Sequence, residues 1–185
     1  PLTLLGVQRV ASLLTTHWQR PSLPSALDEY AQITALELET TARLVGALYA
    51  TMDRFDLFKD LTLLYFAAAS FSETARRLGK SHLADSFLLC QHPGFSGQLR
   101  QFCETACQPL SADEAERLGQ SIRAAIEPFD VAGLTDRSRQ SWYPALATDL
   151  YRAAPKLNAS ATEIAAMLHK CGFDSPPAAT ARLRD

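Results

Sequence analysis

The sequence predicts an all-α, bundle-like helical domain around a buried central helix at about residues 55–79, and three observations carry that prediction. Between Leu61 and Phe71 only Thr62 and Ser70 interrupt an apolar run, so a helix there is apolar around most of its circumference and needs cover on several sides. Two capping boxes, Ser111-Ala112-Asp113-Glu114 and Ser160-Ala161-Thr162-Glu163, mark helix starts: the serine takes an early backbone N–H and the glutamate reaches back to the serine's own. No segment alternates apolar and polar residues as a half-buried strand does.

The elements follow in chain order. Leu4, Val7, Val10 or Ala11, Leu14 and Trp18 recur at helical steps and predict a first helix over Leu2 to Gln19. Pro21 and Pro24 end it in a short linker. Ser25 with Asp28 signals a long second helix, with Leu27, Tyr30, Ile33, Leu38, Val45, Leu48 and Met52 inward and Glu29, Glu37, Glu39 and Arg43 toward water. Asp53 to Asp56 turns into the central helix, whose Ala67, Ala68 and Ala69 let neighbours approach and whose end is Gly79. A shorter helix is expected from Ser81 to Gln91, then another from Phe95 to Cys107. After Ser111, Leu118, Ile122 and Ala125 or Ile126 supply a buried face up to Pro128. Phe129 to Pro144 is a long non-periodic loop holding Gly133, Trp142 and Tyr143, and after Ser160 a last helix runs through Ile164 and Leu168 to Gly172. The expected organisation is a first helix over 1–20 continuing from an upstream part, a helical domain over 21–174, and a loose tail over 175–185.

Composition narrows the function classes. With 185 residues and 47% hydrophobic content the chain builds a sizeable core without disulfides. Eighteen basic against 20 acidic residues give a net charge of -2, which lacks the positive field a nucleic-acid partner requires. No apolar run approaches the roughly 20 residues that span a bilayer, so no membrane partner is expected. Four scattered cysteines read as reduced thiols in a cytoplasmic protein.

Candidate chemistry is sparse. Cys103 and Cys107 share a helix face and Cys90 and His92 lie upstream, a set that zinc would accept, yet without tight ligand spacing a buried-thiol reading is preferred and no metal is assigned. His17, His82 and His169 stand apart from any nucleophile-elbow motif. No Walker loop and no G-x-G-x-x-G motif is present, so a nucleotide site would have to be completed elsewhere, and no catalytic residue is assigned. Arg76, Arg77 and Lys80 suit the negative end of the central helix.

Three passages, LTLLGVQRVASLL, FDLFKDLTLLYFAAASFSETARRLG and IEPFDVAGLTDRSRQSWYP, together resemble the C-terminal region of flavin-dependent, tryptophan halogenase-like halogenases and related FAD-dependent oxidoreductases. The resemblance covers nearly the whole chain in the same order. It implies that the glycine-rich flavin fingerprint and the catalytic lysine and acid belong to an upstream flavin module of the same polypeptide, and that this chain is its helical substrate cap. The chain begins at Pro1 without an initiator Met, which agrees with that expectation. On this reading Pro1, Leu2 and Thr3 lie near FAD. Tyr65, Phe66, Trp142 and Tyr143 face an aromatic or other electron-rich small-molecule substrate, and a neighbouring copy, in a homo-oligomer, covers exposed first-helix residues. The alternative is a free-standing helical ligand- or partner-binding module; a small zinc-stabilised domain is a third reading.

Overall fold

A computed structural model describes residues 2–136, 138 and 146–173. Among these residues there is no strand, and the fold is an all-α bundle. Its helices are α1 (Leu2–His17), α2 (Leu23–Ala50), α3 (Phe55–Arg77), α4 (Ser96–Ala106), α5 (Ala112–Ile126), α6 (Ala147–Arg152) and α7 (Ala161–Lys170). Short 3-10 turns occupy Ser81–Leu83, Phe87–Leu89, Glu127–Phe129 and Ala154–Leu157.

The central helix is α3, as expected. Leu57, Leu61, Leu64, Ala67, Ala68, Phe71 and Ala75 are buried at three- and four-residue steps, and no position between Leu61 and Phe71 is exposed. It packs against α5, the Phe87–Leu89 turn and α2, while α2 in turn packs against α4 and α1. Gly79 closes α3 at φ +72°, and the Lys80 N–H returns to the Ala75 carbonyl at 2.8 Å. Beyond it Phe129 sits edge-on to Phe71, Phe95 and His92, with ring centroids 4.9–5.2 Å apart.

Both capping boxes form. Ser111 Oγ accepts from the Glu114 N–H and Glu114 accepts from the Ser111 N–H at 2.8 Å; Ser160 and Glu163 repeat the arrangement. The Ser160 N–H, the Lys80 ammonium at 2.9 Å and the Ser160 hydroxyl hold the Glu163 pKa down at about 2.

Three expectations are corrected, two in α2 and one after α3. The second helix starts at Leu23 with Pro24 in its first turn, where a missing N–H costs nothing, and not at Ser25. In α2, Leu27, Leu38, Val45 and Met52 face outward, and Glu37 is buried with Leu44 and Ala47. Glu37 goes inside because it has partners there, described below. On α1 the stripe Leu4, Val7, Ala11 and Trp18 is exposed, while Leu2 and Leu5 pack on the core. Finally, the helix expected over Ser81 to Gln91 is replaced by two 3-10 turns. Leu88 and Leu89 adopt φ of 53° and 54°, and this path buries Phe87, Leu88, Leu89 and Cys90 together, which a helix packed along one face cannot do. Sequence periodicity also missed α6.

The α3–α5 contact depends on a glycine. Asp60 of α3 is buried and pairs with Arg123 of α5, which also reaches Glu116 at 3.2 Å. Burial raises the Asp60 pKa, and the Arg123 hydrogen bond opposes that rise. A Cβ at Gly119 would run into Asp60 Oδ2. Gly119→Ala should therefore destabilise the fold by about 1–3 kcal/mol in urea unfolding; an unchanged midpoint contradicts this packing. Because the Glu163 pKa is depressed, its contribution is complete above the ordinary 4.5 and is lost as pH falls through about 2. The fall in Tm between those pH values should shrink in Glu163→Gln, and an identical fall contradicts the cap.

Candidate functional site

The most elaborate polar arrangement lies where α1, α2 and the Phe87–Leu89 turn meet. Glu37 is 1% exposed, in the inward face of α2, where an unpaired carboxylate would be costly. Arg9 of α1 donates from Nη1 to both Glu37 oxygens, at 2.8 and 2.7 Å, and the Phe87 N–H donates to Glu37 Oε1 at 2.6 Å. Arg9 Nη2 also donates to the Asp85 carbonyl at 2.7 Å. The Gln91 N–H meets Ser86 Oγ at 2.9 Å. One carboxylate thus joins a helix with no buried residue of its own to the two left-handed leucines that enter the core. Each left-handed leucine costs on the order of 1–3 kcal/mol, which burial of both side chains offsets.

Beside this junction α1 and α2 enclose an open groove of about 710 Å³. Leu13, Ile33 and Leu36 give it apolar walls, and Arg9, His17 and Tyr30 supply polar groups. His17 Nδ1 lies 2.9 Å from Ser22 Oγ, which fixes the ring at the α1–α2 corner.

Of the residues expected at a site, the structure describes Leu2, Thr3, Tyr65 and Phe66. Leu2 is half-buried against the core and Thr3 is exposed on the first turn of α1; Pro1 lies outside the described residues. Tyr65 and Phe66 are half-buried and meet edge-to-face with centroids 5.4 Å apart, and Tyr65 also meets Phe87 at 6.4 Å. Neither lines the α1–α2 groove. Trp142 and Tyr143 lie outside the described residues, as does the tail over 175–185. What is described of the loop before them is well anchored: the buried Asp130 carboxylate accepts from the N–H groups of Ala132, Leu134 and Thr135 and from the Thr135 hydroxyl. The aspartate two residues before a small-residue turn was the available signal for this anchor.

The cysteine set does not assemble a ligand cluster. Burial pushes the Cys103 thiol up to about 12 and raises that of Cys90, which opposes the thiolate form that zinc requires. Among the described residues no group of three His, Cys, Asp or Glu side chains is placed to hold a metal ion. No helix among them is long and apolar enough to cross a membrane.

The outer surfaces of α1 and α2 are the other unusual feature. Leu4 is 76% and Val7 63% exposed, with Trp18 on the same face, and α2 exposes Leu38, Val45, Tyr49 and Met52 outside the arc in which Glu37, Leu44 and Ala47 are buried. Contiguous apolar surface of this kind marks places where another body docks. No protein-family model, no curated protein and no solved structure matches the chain.

Proposed function

We propose that this chain is the helical substrate cap of a halogenase-like, FAD-dependent oxidoreductase, seated through α1 on an upstream flavin module of the same polypeptide. The observation that carries the reading is α1 itself. It buries no residue in this bundle, is held by Arg9, and presents Leu4, Val7 and Trp18 outward. Such a helix is fitted to lie between two bodies.

The described residues are compatible with a cofactor edge. The first turn of α1 carries no acidic side chain and exposes Thr3, so the partial positive charge of a helix N-terminus is available to an anionic cofactor group near Pro1, Leu2 and Thr3. FAD, held mainly by the upstream module, would supply the oxidising chemistry for halogenating or oxygenating an electron-rich substrate. This chain's own part is cover and exclusion of water, with Tyr65, Phe66, Trp142 and Tyr143 assigned to the substrate side. We place the protein in the cytoplasm, a reading supported by its four unpaired cysteines. The α1–α2 groove favours a second reading, a free-standing module that binds a small ligand or partner there.

The test uses the complete encoded polypeptide and its Leu4→Asp/Val7→Asp variant. The parent should purify with bound FAD and the variant should lose flavin and melt earlier, while the same pair leaves the Tm of the 185-residue chain within about a degree because both sites are exposed. A polypeptide without flavin overturns the oxidoreductase reading and favours the ligand-binding module. Unchanged flavin retention in the variant overturns docking through α1.

A further inference from the structure

The outward face of α2 carries a regular apolar pattern. Ala31, Ala35, Leu38, Ala42, Val45 and Tyr49 follow one another at alternating steps of four and three residues, and all are exposed. That is the spacing of a coiled-coil seam, a narrow stripe shaped to receive one other helix and not a broad surface. Leu27 and Met52 extend it at either end. Because Arg9 and the Phe87 N–H hold Glu37 in the core, α2 cannot roll to bury the seam without leaving that carboxylate unpaired.

We propose that this seam pairs with the same seam of a second copy, antiparallel, about a two-fold axis level with residue 40. The order of residue sizes selects this occupant. In that register Ala31 faces the second copy's Tyr49, Ala35 faces Val45, and Ala42 faces Leu38. Every alanine meets a larger side chain, and the two-fold repeats each pair on the other side of the axis. Met52 then reaches Leu27 at the ends. A copy placed with residue 42 on the axis would instead set alanine against alanine at the centre and leave a void there.

The flanks agree with the register. One edge carries Thr34, Thr41 and Leu48, without charge. On the other edge the carboxylate nearest the axis, Glu39, pairs at 2.8 Å with Arg43 of its own helix, a cation it shares with Glu104 of α4 at 2.6 Å and which softens its approach to the second copy's Glu39. This pairing is independent of the flavin reading, which uses α1.

The experiment takes the 185-residue chain with the exposed Cys107 and Cys171 changed to serine. Sedimentation equilibrium should report twice the 20.3 kDa chain mass, and Ala42→Glu should return it to one while the circular dichroism spectrum stays that of the parent and the Tm falls and loses its dependence on protein concentration. Ala35→Cys/Val45→Cys should cross-link into a covalent dimer under mild oxidation. Ala35→Cys alone should not, because its two copies would lie about 15 Å apart along the axis at 1.5 Å per residue. A monomeric parent, a dimer that survives Ala42→Glu, or cross-linking by Ala35→Cys alone would each overturn the proposal.

Discussion

A buried carboxylate decides how this bundle is put together. Helix α2 has apolar residues on two sides, and hydrophobicity alone does not choose which side meets the core. Glu37 makes the choice, because Arg9 and the Phe87 N–H satisfy it on one side only. With Glu37 inside, Leu44 and Ala47 enter the core and Leu38, Val45, Tyr49 and Met52 are left outside. The same pair fixes α1, which has no buried residue to hold it, and pins the turn that carries Leu88 and Leu89 at positive φ. A paired buried charge of this kind adds little net stability but specifies a single arrangement.

That choice was illegible in the sequence for a physical reason. Helical periodicity reports that a stripe exists, not which of two stripes is covered, and a glutamate is ordinarily assigned to water. The partners of Glu37 are 28 and 50 residues away in the chain, so no local pattern announces them. By contrast α3 was legible because its apolar run leaves no second orientation to choose, and the helices after Ser111 and Ser160 were legible because a capping box is a contact within four residues. The turns at Phe87–Leu89 defeat local reading, since left-handed leucines exist only where the core repays them. Of the candidate site, the sequence singled out Tyr65 and Phe66 for a substrate and did not announce their edge-to-face contact, while the groove between α1 and α2 depends on the rotation that Glu37 sets.

The consequence for function is that both long N-terminal helices are finished on one side and open on the other. The open face of α1 lies on a helix held by the Arg9–Glu37 pair and by the half-buried Leu2 and Leu5, with no fully buried residue, which suits a joint with another module. The open face of α2 is narrow and graded in residue size, which suits a helix of matching grading. The Arg9–Glu37 tie, the Asp130 loop anchor and the Arg123–Asp60 pair fix α1, the loop after Phe129 and α5 to the central core, the rigidity that the proposed cap would need.

The measurement that bears most directly on this account is a double-mutant cycle at Arg9 and Glu37, read by chemical denaturation. Removing Arg9 alone, in Arg9→Met, should cost about 3–5 kcal/mol by leaving Glu37 buried without its cation, and Arg9→Met/Glu37→Met should recover most of that loss. If Arg9→Met unfolds at the parent's midpoint, Glu37 does not set the rotation of α2, and the outward faces of α1 and α2 lose their structural basis.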